Sequence, residues 1–257
     1  MNHYNLQGLC ILNTRPREQA ALLNQDIMAA GGQVINYPML EIVPPQHAWF
    51  VKLPELNQID QALFISANAV SFCFASLAEH KLSWPSSILV TAVGRSTALA
   101  LQKNHIFVNH VPSVSDSEHV LELPNLQQVA EQTIVLFKGE GGRRLISDTL
   151  MARGANLIEL DVYQRIMPNL LTNDLDFSWQ DGAVDIILFT SQQAMQNLFV
   201  SLGIHRLKQL KKTPCLVVSN RLAAEAAKLG MQTILVCDVE TIVESLHQFN
   251  KGRIHGQ

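Results

Sequence analysis

The 257-residue chain has little that would commit it to a disulfide, a metal or a membrane. Its four cysteines, Cys10, Cys73, Cys215 and Cys237, are scattered, with no C-x-x-C pair and no His-rich cluster beside them. Isolated cysteines in apolar runs such as Leu9-Cys10-Ile11 read as core filler in a reducing compartment. Met1 to Gln7 is polar and has neither a basic nor an apolar leader region, and no apolar run approaches the roughly 20 residues that span a bilayer. Charge is sparse, at 16% of residues with a net −3, so a nucleic acid or an anionic membrane has no bulk electrostatic support as a partner. H-E-x-x-H, G-x-S-x-G and G-x-x-x-x-G-K-[ST] are all missing, and the nine histidines show no ligand spacing, so no metal site is expected. What remains is the expectation of a cytoplasmic globular protein. With 47% hydrophobic residues it can bury a large core, in one large domain or two ordinary ones.

What the chain does have is a copy of itself. Leu63-Phe64-Ile65-Ser66-Ala67-Asn68-Ala69-Val70 recurs 125 residues later as Leu188-Phe189-Thr190-Ser191-Gln192-Gln193-Ala194-Met195. Val93-Gly94-Arg95-Ser96-Thr97-Ala98 faces Val218-Ser219-Asn220-Arg221-Leu222-Ala223 at the same offset. Ile11-Leu12-Asn13-Thr14-Arg15-Pro16 aligns with Ile134 to Gly139, and Gly32 to Ile35 with Ala155 to Ile158, both at an offset of 123. Each match is weak alone, but their common order marks a twofold duplication.

Both repeats use one grammar. Apolar runs of buried-strand type (Leu9 to Asn13, Ala62 to Ile65, Ile88 to Val93, Thr133 to Phe137, Asp185 to Phe189, Pro214 to Val218) each lead into a helical segment. Those segments are Glu18–Ala30, Ala67–Leu77, Ser96–Lys103, Arg143–Arg153, Gln192–Ser201 and Arg221–Lys228, and Gly31, Gly154 and Gly230 supply stop signals. Strands alternating with helices predict α/β architecture with doubly wound parallel sheets. Two stretches depart from the grammar. Tyr37 to Pro45 and Glu159 to Pro168 are extended and proline-ended, and read as a two-stranded linker between two similar domains. The expected division is a discontinuous first domain of about 1–37 plus about 168–257 and a second of about 38–167, with an inter-domain cleft.

In such sheets ligands bind where a strand's carboxyl end gives way to a helix. The turns at these points carry Thr14-Arg15, Ser66-Ala67-Asn68, Gly94-Arg95-Ser96-Thr97, Lys138-Gly139 through Arg144, Ser191-Gln192 and Ser219-Asn220-Arg221. Helix N-termini present free N–H groups, and four of the six turns add Arg or Lys although the chain is slightly acidic. Together they suit a multiply anionic ligand, whereas any one of them would serve equally as an ordinary helix cap. Lys138-Gly139-Glu140-Gly141-Gly142-Arg143-Arg144 imitates a dinucleotide loop, but its third glycine position is Arg144. Glu159 and Asp161 read as solvated carboxylates. Tyr163, in the second extended stretch, is either a phenol facing the cleft or a packed tyrosine with a bonded hydroxyl.

Over nearly the whole chain, in order, these pieces resemble the uroporphyrinogen-III synthase family. The carriers are Thr14-Arg15-Pro16, Gly32…Pro38…Pro44, Phe64 to Val70, Val93 to Ala98, Lys138-Gly139, Gly154-Ala155 through Val162-Tyr163, Phe189-Thr190-Ser191 and Val218 to Ala223. The resemblance implies a cofactor-free enzyme that closes the linear tetrapyrrole hydroxymethylbilane, a carrier of eight carboxylates, to uroporphyrinogen III with loss of water and inversion of the last ring. It implies Tyr163 as the catalytic residue assisting departure of the hydroxyl. Arg15, Ser66, Asn68, Gly94, Thr97, Lys138, Gly139, Ser191, Ser219 and Arg221 are then the candidate substrate contacts. It also allows hand-over of the substrate from the preceding pathway enzyme. Where some members have Gly-x-x-Thr, this chain has Ser219-Asn220-Arg221-Leu222, which puts a threonine role there in doubt. A non-catalytic two-lobed binder of a small polyanion is the competing reading, and a nucleotide-dependent enzyme the third.

Overall fold

In a computed structural model, residues 4–169, 183–202 and 204–255 are described. The chain divides into two compact units, 1–41 with 166–257 and 42–165. Each unit holds one five-stranded sheet.

The first sheet has the order β10-β9-β8-β1-β2. Its strands are β1 (Cys10–Asn13), β2 (Gln33–Asn36), β8 (Ile186–Phe189), β9 (Cys215–Val217) and β10 (Ile234–Val236). The second has the order β3-β7-β6-β4-β5, built from β3 (Glu41–Val43), β4 (Gln61–Phe64), β5 (Leu89–Ala92), β6 (Thr133–Gly139) and β7 (Asn156–Ile166). Registered pairs in both sheets are parallel. The duplication maps β1 and β2 onto β6 and β7, and β4 and β5 onto β8 and β9. Under that mapping β9-β8-β1-β2 and β5-β4-β6-β7 are the same arrangement. The first repeat supplies β1 and β2 to one unit and β3, β4 and β5 to the other, and the second repeat supplies β8, β9 and β10 to the one and β6 and β7 to the other, so neither unit is assembled from one repeat.

The continuous apolar runs follow from burial on both faces, as parallel sheets require. Ile186, Ile187, Leu188 and Phe189 are all fully buried, on the order of 1.5–3 kcal/mol each. Alternate residues serve opposite faces. Leu12, Ile187, Phe189 and Cys215 pack under α6 (Gln192–Ser201), α7 (Ile204–Lys212) and α8 (Asn220–Leu229). Ile11, Ile186, Leu188 and Leu216 pack under α1 (Arg17–Ala29) and α9 (Ile242–His255). In the second unit, Phe64, Val90, Val135 and Phe137 face α2 (Ala67–Glu79) and α3 (Arg95–Lys103). Leu63, Ile134 and Leu136 face α4 (Ser117–Leu121) and α5 (Leu145–Ala152). Gly31, Gly154 and Gly230 take left-handed φ values of +86°, +84° and +88° just past α1, α5 and α8, where a side chain would be strained.

The extended stretches are more ordered than free connectors. Glu159 to Ile166 continues β7, which pairs with β6 as far as Tyr163, and β3 is its neighbour at the sheet edge. Gln164 Nε2 donates to the Pro44 carbonyl at 3.0 Å, which ties the two stretches together. β7 buries Leu160 and Val162 against α2, while Glu159 and Asp161 point to the other face.

Candidate functional site

The site in the second unit is built by an irregularity in the β6–β7 pairing. Lys138 opposes Asp161, but Gly139 opposes Tyr163, so β7 carries one extra residue at this point. A bulge of this kind re-aims side chains. Strict alternation would put Tyr163 on the face of Glu159 and Asp161. The shift turns it to the face of Phe137 and Val162, where it lies in the same core cluster and is only 1% exposed.

Gly139 makes room for it. A methyl group there would lie 2.5 Å from Tyr163 Cζ and 2.9 Å from its hydroxyl oxygen, closer than nonbonded atoms allow. The ring occupies the volume that a side chain at 139 would need. Phe72 of α2 stacks on it at 5.9 Å between centroids. The phenol oxygen has two polar neighbours: Ser66 Oγ at 3.2 Å and Arg165 Nη2, which donates to it at 2.8 Å. The Arg165 guanidinium also stands 5.1 Å from the ring centroid, within cation–π range. Tyr163 is thus a packed tyrosine with a bonded hydroxyl; the phenol is not laid open to solvent.

Ser66, Ser191 and Ser219 are the N-caps of α2, α6 and α8. Their hydroxyl oxygens accept from Ala69, Ala194 and Leu222 N–H at 3.0, 3.4 and 3.3 Å. Each such cap contributes about 1 kcal/mol. A capping hydroxyl is used as an acceptor and keeps its proton to donate, so capping and ligand contact are compatible at the same residue. Asn68 is half-buried in the first turn of α2.

Gly94, the N-cap of α3, has a packing reason of its own: a Cβ there would lie 2.2 Å from Ser115 Oγ. Thr97, in the first turn of that helix, is 1% exposed and so sits inside the unit rather than on a rim. Arg95 and Arg221 stand exposed at the starts of α3 and α8.

Lys138 departs from its expected role as an open anion contact. Its ammonium is 2.7 Å from Asp161 Oδ1 and 3.6 Å from Glu159 Oε2, and it donates to the Gly141 carbonyl at 3.3 Å. The two carboxylates expected to be solvated are therefore paired. Lys138 anchors the 139–144 turn, in which Gly141 and Gly142 are left-handed. Arg143 and Arg144 are likewise engaged, with Glu118 at 2.6 Å and Asp148 at 3.1 Å. The turn that imitates a dinucleotide loop is thus filled by a tyrosine ring and closed by acids.

In the first unit, Thr14 and Arg15 follow β1. Thr14 Oγ1 donates to the Leu188 carbonyl at 2.7 Å, fixing the turn against β8. Arg15 accepts no such closure. Its Nε is buried without a hydrogen-bond partner, and burial pushes its guanidinium pKa below the ordinary value. A half-buried cation with a buried donor left over is what an anion would complete.

Against this geometry, the chain matches the family model described as Uroporphyrinogen-III synthase HemD over residues 22–246. It belongs to the uroporphyrinogen-III synthase family. The uroporphyrinogen-III synthase of Salmonella typhimurium is 32% identical over 234 residues, covering 90% of this chain and 95% of that one. The Escherichia coli protein of that name gives the same identity and coverage. A mutant uroporphyrinogen III synthase from Thermus thermophilus superposes with a TM-score of 0.65 at 18% identity, covering 97% of this chain and all of that one. The Helicobacter pylori uroporphyrinogen-III synthetase gives 0.64 at 16% identity, covering 94% of this chain and 99% of that one. At those identities the structures show the shared fold. The family's enzymes are cyclising lyases of tetrapyrrole (haem) biosynthesis, and this chain is of that class.

Residue-level reading of the sequence missed Arg165, which reaches Tyr163 across one strand residue, and missed the bulge. A glycine at a strand end was the available signal, since it often marks a bulge or a close approach. Among the described residues no group of acids, histidines and cysteines is arranged to hold a metal ion, and no helix is long and apolar enough to cross a membrane.

Proposed function

We propose that this protein closes hydroxymethylbilane to uroporphyrinogen III, with loss of water and inversion of the last pyrrole ring. The observation that carries the residue-level reading is the meeting of Tyr163, Ser66 and Gly139 at the carboxyl ends of β7, β4 and β6. There a hydrogen-bonded phenol lies beside the N-terminus of α2, and free helix N–H groups can receive carboxylates. Arg15 with Ser191, Ser219 and Arg221 on the first unit, and Ser66 and Asn68 on the second, are the proposed contacts to the substrate's carboxylates; Gly94 and Thr97 are buried and support the start of α3 from within. Lys138 and Gly139 contribute by shaping the turn that seats Tyr163.

The linear tetrapyrrole closes unaided to the uninverted isomer, so the enzyme's work is largely positioning. Many weak contacts spread over the strand ends of two sheets suit that task better than one strong acid. Tyr163 assists departure of the terminal hydroxyl within this arrangement. Residence in the cytoplasm, and receipt of the substrate from the preceding pathway enzyme, belong to the same proposal. Purified protein given hydroxymethylbilane should yield the type III isomer, and type I alone would sink the reading.

A further inference from the structure

We propose that Arg165 is a positioning residue for this reaction. It fixes the Tyr163 phenol as a hydrogen-bond donor toward Ser66, which leaves the Ser66 hydroxyl as the donor that meets the substrate's departing hydroxyl. This inference rests on the reading of Tyr163 and Ser66 as site residues.

A guanidinium has N–H groups only and cannot accept. Arg165 Nη2 lies 2.8 Å from the phenol oxygen, so that oxygen is the acceptor there. Its own proton is left for the other polar neighbour, Ser66 Oγ at 3.2 Å. Accepting from a cation strengthens the donor character of the phenol O–H, since successive hydrogen bonds polarise one another. Ser66 Oγ already accepts from Ala69 N–H at 3.0 Å. With the phenol donating as well, the two lone pairs of that oxygen are filled, and what Ser66 retains is one proton to give.

Exposure decides where that proton points. Tyr163 is 1% exposed, and its ring is enclosed by Gly139 and Phe72, whereas Ser66 is half-buried at the start of α2. A bulky polycarboxylate reaches Ser66 before it reaches the phenol. Arg165, two residues on along the same strand face, is itself exposed at the end of unit 2 and stands 5.1 Å from the ring centroid. The series Arg165, Tyr163, Ser66 is thus a one-way chain of donors that ends at a helix N-terminus. It orients and polarises, and no bond to hydrogen breaks within it.

A kinetic cycle tests this. The proteins compared are the wild type, Arg165→Met, Tyr163→Phe and the double variant, with Arg165→Lys as the conservative replacement. For each, kcat and KM for conversion of hydroxymethylbilane to the type III isomer are measured alongside a thermal melt. Arg165→Met should lower kcat roughly tenfold, the size of losing one charge-assisted hydrogen bond, with KM almost unchanged. In the Tyr163→Phe background the same change should cost nothing further, and Arg165→Lys should recover much of the loss. Multiplying losses in the double variant, or a rise in KM alone, would overturn the inference and make Arg165 a direct substrate contact. An unchanged kcat would overturn it as well. If Arg165→Met fails to fold, the same non-additivity is read from Arg165→Lys against Tyr163→Phe. A wild type that forms only the type I isomer would break the enzyme reading itself, which is seen before any variant is compared.

Discussion

Gly139→Ala adds a single methyl group, yet the structure expects it to disturb both stability and turnover. The new Cβ would sit 2.5 Å from Tyr163 Cζ and 2.6 Å from its Cε2, so the ring has to move. Overpacking of a core by one methylene typically costs about 1–3 kcal/mol. For a protein of this size each kcal/mol lowers Tm by roughly 2–4 °C. A displaced ring also draws the phenol away from Ser66 and Arg165, so activity should fall with stability. The control is the same change in a Tyr163→Leu background. Gly139 lies outside the left-handed region, so its backbone accepts alanine. Without the ring the methyl should be neutral, or should stabilise by roughly 0.4–1 kcal/mol by restricting the unfolded chain. Urea unfolding of the four proteins gives the coupling directly. Equal costs for Gly139→Ala in both backgrounds would refute the claim that the glycine exists to seat the tyrosine.

Other expectations are simpler to state. Tyr163→Phe should keep the fold, lose roughly 0.5–1.5 kcal/mol of stability with the phenol's bonds, and lower turnover to type III measurably. Unchanged turnover removes Tyr163 from the site. Expressed separately, the repeats 1–124 and 125–257 should each give the circular dichroism of an unfolded chain, because each sheet takes two strands from the other repeat; one cooperative, folded half would contradict the strand exchange. Burial pushes the Cys215 thiol up to about 12 from an ordinary 9.0, so the folded state keeps a proton that the unfolded chain loses. Its contribution is whole below pH 9.0 and declines above it, by up to about 1.4 kcal/mol per pH unit, until the folded thiol also ionises near pH 12. The stability gap between wild type and Cys215→Ala should therefore shrink between pH 8 and pH 10.5, and a constant gap would argue against a buried neutral thiol.

Much of the fold was legible because parallel strands buried on both faces leave uninterrupted apolar runs. The runs Asp185 to Phe189 and Ala62 to Ile65 stood out in that way, and the strands the structure shows, Ile186–Phe189 and Gln61–Phe64, start and end within a residue of them. The duplication was legible because it preserved the Ser-capped turns after β4 and β8. β2, β10 and α9 went unread, and the first two are short, half-buried strands with no long apolar run. β7 was taken for a connector since the stretch is extended and ends in Pro168. What those acids do, pairing with Lys138, is set by the neighbouring strand and leaves no local mark.

The candidate site was legible as a set of turns and not as a geometry. Gly94 and Gly139 were read as places where a ligand approaches the backbone, but the approaching groups are Ser115 and Tyr163. Both are distant in sequence, and no spacing rule connects them. Arg165 passed unnoticed although residues two apart on a strand share a face, because the strand itself was read as a connector.

If this arrangement directs ring closure, the product's isomer shows it. The measurement is the isomer ratio of the product formed from hydroxymethylbilane, set against the same mixture without protein. Catalytic amounts of the purified protein should turn the product to the type III isomer in proportion to the protein added. A product that stays type I at every protein concentration would contradict the account.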